Sequence, residues 1–210
     1  MQLHFKLILL AQPDKKNIVI FASGSGSNAQ RLLEHFEHHP GIRVAALFSN
    51  NPNAYALKRA ETYQVPALLF NRDTFYNSDK VLEQVKSFNP DLIVLAGFLW
   101  LVPAYLLQAF PNKIINIHPA LLPKYGGKGM HGQHVHAAVL AAGEPESGIT
   151  IHSIDEEYDK GEFILQKRCP VLPTDTPEDL AARVLQLEHK YLPLVVERLL
   201  SEQEHPKNLR

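Results

Sequence analysis

Cysteine is almost missing from this chain: of 210 residues only Cys169 is one. A single cysteine cannot close an intramolecular disulfide, and its scarcity suits a reducing, cytosolic setting. An excess of one charge is missing too. Lys and Arg number 21 against 22 Asp and Glu, a net charge of −1, so bulk electrostatics point to neither a nucleic-acid nor a membrane partner. Long apolar runs are lacking as well. Residues 3–11 are apolar but broken by Lys6 and carry no small-residue cleavage pattern; they are too short to span a bilayer and do not read as a signal peptide. No internal repeat or low-complexity tract occurs, and the serines at 23, 25 and 27 lack the G-x-S-x-G frame of a nucleophile elbow.

What is present is enough apolar sequence, 45% of residues, for one substantial core. The expected organisation is an N-terminal extension over 1–16, a single domain over 17–200 and a polar, frayed tail over 201–210. Apolar strands are expected at 17–22, 43–49, 67–70, 92–96 and 114–117. Helices are expected after residue 28 to about 38, from an Asn53 cap through Tyr63, over 76–88 with Val81, Leu82, Val85 and Phe88 on one face, and over 103–110. Alternation of this kind predicts an α/β fold, a Rossmann-like, mostly parallel sheet with helices on both faces. After His118 the pattern changes. A loop containing Lys124, Lys128 and four glycines leads to a helix at about 135–142. Two alternating segments, 148–154 and 163–171, read as an antiparallel C-terminal pair. A closing helix over 177–200 has Thr176 as its cap, with Pro177, Glu178 and Asp179 in its first turn.

Three stretches carry chemistry. Asn116-Ile117-His118-Pro119 ends an apolar strand, and ligands bind at that edge of an open α/β sheet. Asn116 and His118 are alternate residues, so an extended chain points both side chains to one face, and paired donors converging on one point suit a developing oxyanion. The loop Ser23-Gly24-Ser25-Gly26-Ser27-Asn28 lies between a strand and a helix start, where glycines and open N–H groups accept an anion. Gly24, Gly26 and Ala29 fit a dinucleotide fingerprint, but the second strand ends Ser49-Asn50-Asn51-Pro52 without the acid that would hold a dinucleotide ribose. A mononucleotide or sugar phosphate fits better. Residues 97–102 put Phe98 and Trp100 at the same edge, either as ordinary core or as the wall of a pocket for a flat heterocycle. In the acidic turn 155–161 one carboxylate could orient a histidine, and pattern alone does not choose which. His131, His134 and His136 cluster without the spacing of a metal site.

Taken together, S-G-S-G-S-N, A-L-F-S-N, L-A-G-F, N-I-H-P-A-L-L-P, the D-x-G at Asp159 and E-H-K-Y-L-P in the last helix resemble the phosphoribosylglycinamide formyltransferase family over about 17–200. The resemblance implies formyl transfer from 10-formyltetrahydrofolate, a cosubstrate, to the amine of glycinamide ribonucleotide, without a metal. It implies Asn116, His118 and Asp159 as the catalytic trio, and Asp159 favouring the charged imidazole. It further implies Gly26, Ser27 and Asn28 for the substrate phosphate, Glu188 for the ribose, and Leu99, Trp100, Leu101 and Val102 along the folate pterin. Many members have arginine where Trp100 stands and a basic residue near Ser78, and a shorter loop than 124–132. A cytoplasmic monomer or homodimer is expected. Alternatives are a nicotinamide-dependent oxidoreductase using Gly24 and Gly26, another folate-dependent formyltransferase, and a non-catalytic nucleotide-binding module. A methionyl-tRNA formyltransferase would add an RNA-binding domain, and a formyltetrahydrofolate hydrolase a regulatory domain before the first strand.

Overall fold

The computed structural model of the chain describes residues 15–155, 159 and 161–202. Expectations for residues 3–11, for the rest of 1–14 and for 203–210 lie outside those residues. Five strands, β1 (Lys16–Phe21), β2 (Ile42–Ser49), β3 (Ala67–Leu69), β4 (Leu92–Leu95) and β5 (Ile114–His118), pair in parallel. Two more, β6 (Glu146–Ser153) and β7 (Phe163–Pro170), extend the sheet in antiparallel fashion. The order is β3-β2-β1-β4-β5-β6-β7. This is the expected parallel sheet with an antiparallel C-terminal pair.

Consecutive residues of β1 explain its unbroken apolar run. Ile18 and Ile20 pack into one core cluster, and Val19 and Phe21 into the other, so both faces of the sheet are covered. The first cluster lies under α1 (Ser27–Phe36), α2 (Tyr55–Thr62), α6 (Gln133–Ala141) and α7 (Pro177–Glu202). The second lies under α3 (Arg72–Tyr76), α4 (Lys80–Ser87) and α5 (Ala104–Ala109).

Two expectations are corrected. The single helix expected over 76–88 is two. Asn71 and Thr74 form a capping box that starts α3 early, and the chain turns at Asn77-Ser78-Asp79 before α4 buries Val81 and Val85. Asn53 does not cap α2. Ala54 holds that position, while the Asn51 side chain accepts the Asn53 N–H at 3.0 Å. The Thr176 cap is present: its Oγ1 accepts the Asp179 N–H (3.2 Å) and Asp179 accepts the Thr176 N–H (3.0 Å).

Strand order reverses between β1 and β4, which places a crevice at their C-terminal ends. The Ser23–Asn28 loop leaves one strand there and residues 97–102 leave the other. Ser23 joins them, its Oγ accepting the Leu99 N–H at 3.1 Å.

Candidate active site

A cavity of ≈ 780 Å³ occupies this crevice, and its lining includes Gly26, Ser27, Asn28, Leu99, Trp100, Leu101, Val102, Asn116, His118, Asp159 and Glu188. The fold therefore brings the residues that the resemblance implies for the site to one cavity.

β5 delivers Asn116 and His118 to the same face. Its neighbour β6 sets His152 directly across from Asn116. Asp159 follows the β6 end on a left-handed backbone (φ 56) and faces three side chains. Its Oδ1 accepts from Asn116 Nδ2 at 3.3 Å and lies 3.5 Å from His152 Nε2, and its Oδ2 lies 3.6 Å from His118 Nδ1. The Gly127 N–H also donates to Oδ2, at 2.9 Å. The carboxylate fixes the Asn116 amide, because a flipped amide would turn its oxygen toward Asp159. The second amide N–H reaches His152 Nε2 at 3.2 Å. His152 Nδ1 meets the Ser153 carbonyl at 2.8 Å, so Nδ1 carries a hydrogen.

His118 is 4% exposed, and its Nε2 donates to the Tyr125 carbonyl at 2.8 Å. Burial holds the imidazole below its ordinary pKa; the Asp159 charge and the Tyr125 carbonyl pull it upward without overcoming that loss of hydration, and His152 adds to the lowering. The sequence expectation that Asp159 favours the charged ring is thus right in sign and outweighed in the free protein. Burial pushes Asp159 up, but His152, His118 and the Gly127 N–H more than reverse it, and it stays ionised below the usual carboxylate range.

At the other end of the cavity, α1 starts at Ser27 with no side-chain cap and no acid in its first turn, so its N-terminal dipole meets the cavity uncompensated. Gly26 (φ 70) has a packing duty that the sequence did not reveal: a Cβ there would fall 2.5 Å from the Ala56 Cβ. Gly24, with nothing within 4 Å, is the open glycine of the loop. Where a dinucleotide site wants an acid, Asn51 instead donates to the Ser23 carbonyl at 3.0 Å. Asn28 Nδ2 donates to Glu188 Oε2 at 2.7 Å, both residues being 8% exposed. Burial pushes the Glu188 carboxyl up to about 7, against the lowering effect of that bond.

Residues 97–102 serve the core and the cavity wall at once. Phe98 and Trp100 line the cavity and also join an aromatic cluster with Phe70 and Phe75. The Arg72 guanidinium lies over Trp100, 5.8 Å from its ring centroid. Ser78 is not among the cavity-lining residues; its hydroxyl donates to the Thr74 carbonyl at 3.1 Å.

Sequence reasoning missed His152 and considered His136 only as part of a histidine cluster. The alternation of 148–154 marks a strand there, but nothing in the sequence pairs it with β5 to bring His152 to Asn116. His136 is 5% exposed on α6, lines the cavity and has a buried Nδ1 with no hydrogen-bond partner among the described residues. His131 and His134 pack edge to face, 5.7 Å between centroids. Among the described residues, no group of three or more His, Cys, Asp or Glu side chains could hold a metal ion. Of the acidic turn, Glu156, Glu157, Tyr158 and Lys160 lie outside the described residues.

A parallel sheet with this switch-point crevice, and an Asn–His–Asp cluster at the end of β5, agrees with a match to the Formyl transferase model over residues 16–196. The chain belongs to the formyl transferase family and is an enzyme of that class. Relatives of this chain include phosphoribosylglycinamide formyltransferases. The chloroplastic protein of Arabidopsis thaliana is 39% identical, the alignment covering 91% of this chain and 68% of that protein. The Bacillus subtilis enzyme is 37% identical over 88% of this chain and 95% of its own. A chloroplastic relative from Vigna unguiculata is spanned over only 62% of its length. The crystal structure of glycinamide ribonucleotide transformylase 1 from Symbiobacterium toebii superposes with a TM-score of 0.82 at 36% identity, over 90% of this chain and 89% of that one.

Proposed function

We propose that the chain transfers a formyl group from 10-formyltetrahydrofolate to the amine of glycinamide ribonucleotide, a step of purine nucleotide biosynthesis. One observation carries this reading: Asn116 and His118 share a face at the end of β5 with Asp159 against both, in the same cavity as the uncapped start of α1. Gly26, Ser27 and Asn28 take the ribonucleotide phosphate on the open helix terminus, with Glu188 at the ribose. Leu99, Trp100, Leu101 and Val102 line the pterin, largely through their backbone. Trp100 in place of arginine is compatible with this, since its ring is committed to the aromatic cluster.

Attack of the substrate amine on the formyl carbon makes a tetrahedral oxyanion. Asn116 answers it by exchanging one of its long bonds, at 3.2 and 3.3 Å, for the new anion. His118 responds through charge. Burial keeps its pKa low in the free protein, and negative charge developing beside the ring restores its affinity for a proton. The cation is therefore favoured more in the transition state than before it, which is where stabilisation accelerates a reaction. Asp159 orients the ring and stabilises that cation, and the surplus amine proton passes through solvent to the departing folate nitrogen. The proposed unit is a single domain over about 17–200, working as a monomer or homodimer. The lone, buried Cys169 suits the cytoplasm; among the described residues no helix is long and apolar enough to cross a membrane.

A formyl-transfer assay with glycinamide ribonucleotide and 10-formyltetrahydrofolate, followed by folate absorbance, tests this reading. Turnover dependent on both substrates is expected. Absence of turnover together with NADH fluorescence enhancement on mixing would favour the oxidoreductase instead.

A further inference from the structure

The loop over 124–132 carries two backbone groups that hold the catalytic cluster, the Tyr125 carbonyl on His118 and the Gly127 N–H on Asp159. What holds the loop lies outside the cavity. The Tyr125 hydroxyl donates to Glu144 Oε1 at 2.9 Å, and Lys124 Nζ reaches the same oxygen at 2.7 Å. Glu144 sits just past α6, its own N–H bound to the Val139 carbonyl at 3.3 Å. Tyr125 has φ 58, a left-handed conformation that a bulky side chain keeps only where its surroundings enforce it. That backbone conformation goes with a carbonyl aimed at His118; the ring of the same residue packs against the first core cluster, and its hydroxyl adds the Glu144 contact.

We infer that Tyr125 and Glu144 are positioning residues, a side-chain clamp that holds the Tyr125 carbonyl on His118 Nε2 and so fixes the tautomer and angle of the ring. The inference rests on the reading of His118 as catalytic. Lys124 is a bystander, since its ion pair is two-thirds exposed on the lysine side and exposed pairs contribute little. The other titratable groups whose charge acts on the His118 ring are Asp159, His152 on β6 and His136 on α6. None of them is removed by the substitutions that cut the clamp.

The test is made on the full chain with Tyr125→Phe, Glu144→Ala, their combination, Glu144→Gln and Lys124→Met. The His118 imidazole is titrated by NMR without substrates, its signal assigned by its loss in His118→Asn. Loss of the clamp should let the carbonyl drift, so His118 should titrate at lower pH in Tyr125→Phe and Glu144→Ala. In the formyl-transfer assay both should lose about tenfold in kcat, less than the roughly 10²-fold of a full 1 Å misplacement, with both KM values within about twofold of the parent. The double variant should be no worse than either single one, because the two groups act as one unit. Glu144→Gln, which keeps an acceptor for the hydroxyl, should be rescued, and Lys124→Met should match the parent. An unchanged His118 titration in both single variants, or a loss that appears in KM alone, overturns the clamp. Should Glu144→Ala fail to fold, Tyr125→Phe, which removes one oxygen atom, decides. A shifted titration in a protein that transfers no formyl group keeps the clamp and removes the proposed reaction.

Discussion

Asp159 is the residue on which the site turns, because four groups converge on its two oxygens. Replacing it by Asn removes the charge that raises the His118 pKa while burial still lowers it, so the imidazolium is lost at a lower pH than in the parent. The descending limb of the turnover profile should move to the acid side and peak kcat fall by about 10²-fold, the low end for a displaced acid–base group. Turnover against pH at saturating substrates measures both, and a superimposable limb would release Asp159 from the chemistry. Asn116→Ala should cost about 10²–10³ in single-turnover rate, the usual loss for one oxyanion donor. Activity within a few-fold of the parent would place Asn116 outside the reaction.

At the scale of elements, α1 offers a test in which stability and function move in opposite directions. With no acid in the first turn, Ser27→Asp should stabilise the helix by about 0.3–1 kcal/mol through the dipole. The same carboxylate should repel the ribonucleotide phosphate and raise its KM by about tenfold or more, leaving the folate KM nearly unmoved. A rise in Tm with equal effects on both KM values would mean that the two substrates do not divide the cavity as proposed. How the elements were legible follows from what patterning encodes. The strand–helix alternation and the N-I-H-P segment announce a parallel sheet and its ligand edge because burial on both faces and the β period are local properties. The break between α3 and α4 was hidden, since Val81 and Val85 keep helical spacing across either reading and only the Asn71–Thr74 box marks the earlier start. His152 was hidden for another reason: it becomes a site residue through cross-strand pairing with Asn116, and no spacing along the chain records a partner 36 residues away. Gly26 could be read as a loop glycine, but its contact with Ala56 belongs to packing between α1 and α2.

Over the whole molecule, the first and last helices meet at a buried polar bond, Asn28 to Glu188, and the burial of Glu188 there gives stability a pH dependence of unusual sign. His118 and His136 are held neutral by burial; the native state binds fewer protons at these sites than the unfolded chain, so they make the fold more stable as pH rises toward their unfolded values. Glu188 does the reverse. Its carboxyl keeps its proton up to about 7 in the fold and loses it near 4.5 when unfolded, so the native state binds more protons across that window. Its contribution is unperturbed below the lower value, declines as pH rises between the two, and is a constant penalty above the higher one. At 1.36 kcal/mol per unit the full penalty is about 3 kcal/mol. Glu188→Gln keeps the size of the side chain and an acceptor for Asn28 but cannot ionise. The difference in unfolding free energy between parent and variant cancels the histidines and isolates this group. Urea unfolding at pH 5, 6, 7 and 8 should show Glu188→Gln gaining on the parent steadily and then levelling above about pH 7, where Glu188 has already ionised in both states. A difference that stays constant from pH 5 to 8 would mean that Glu188 is ionised throughout, with its charge met by a partner other than Asn28.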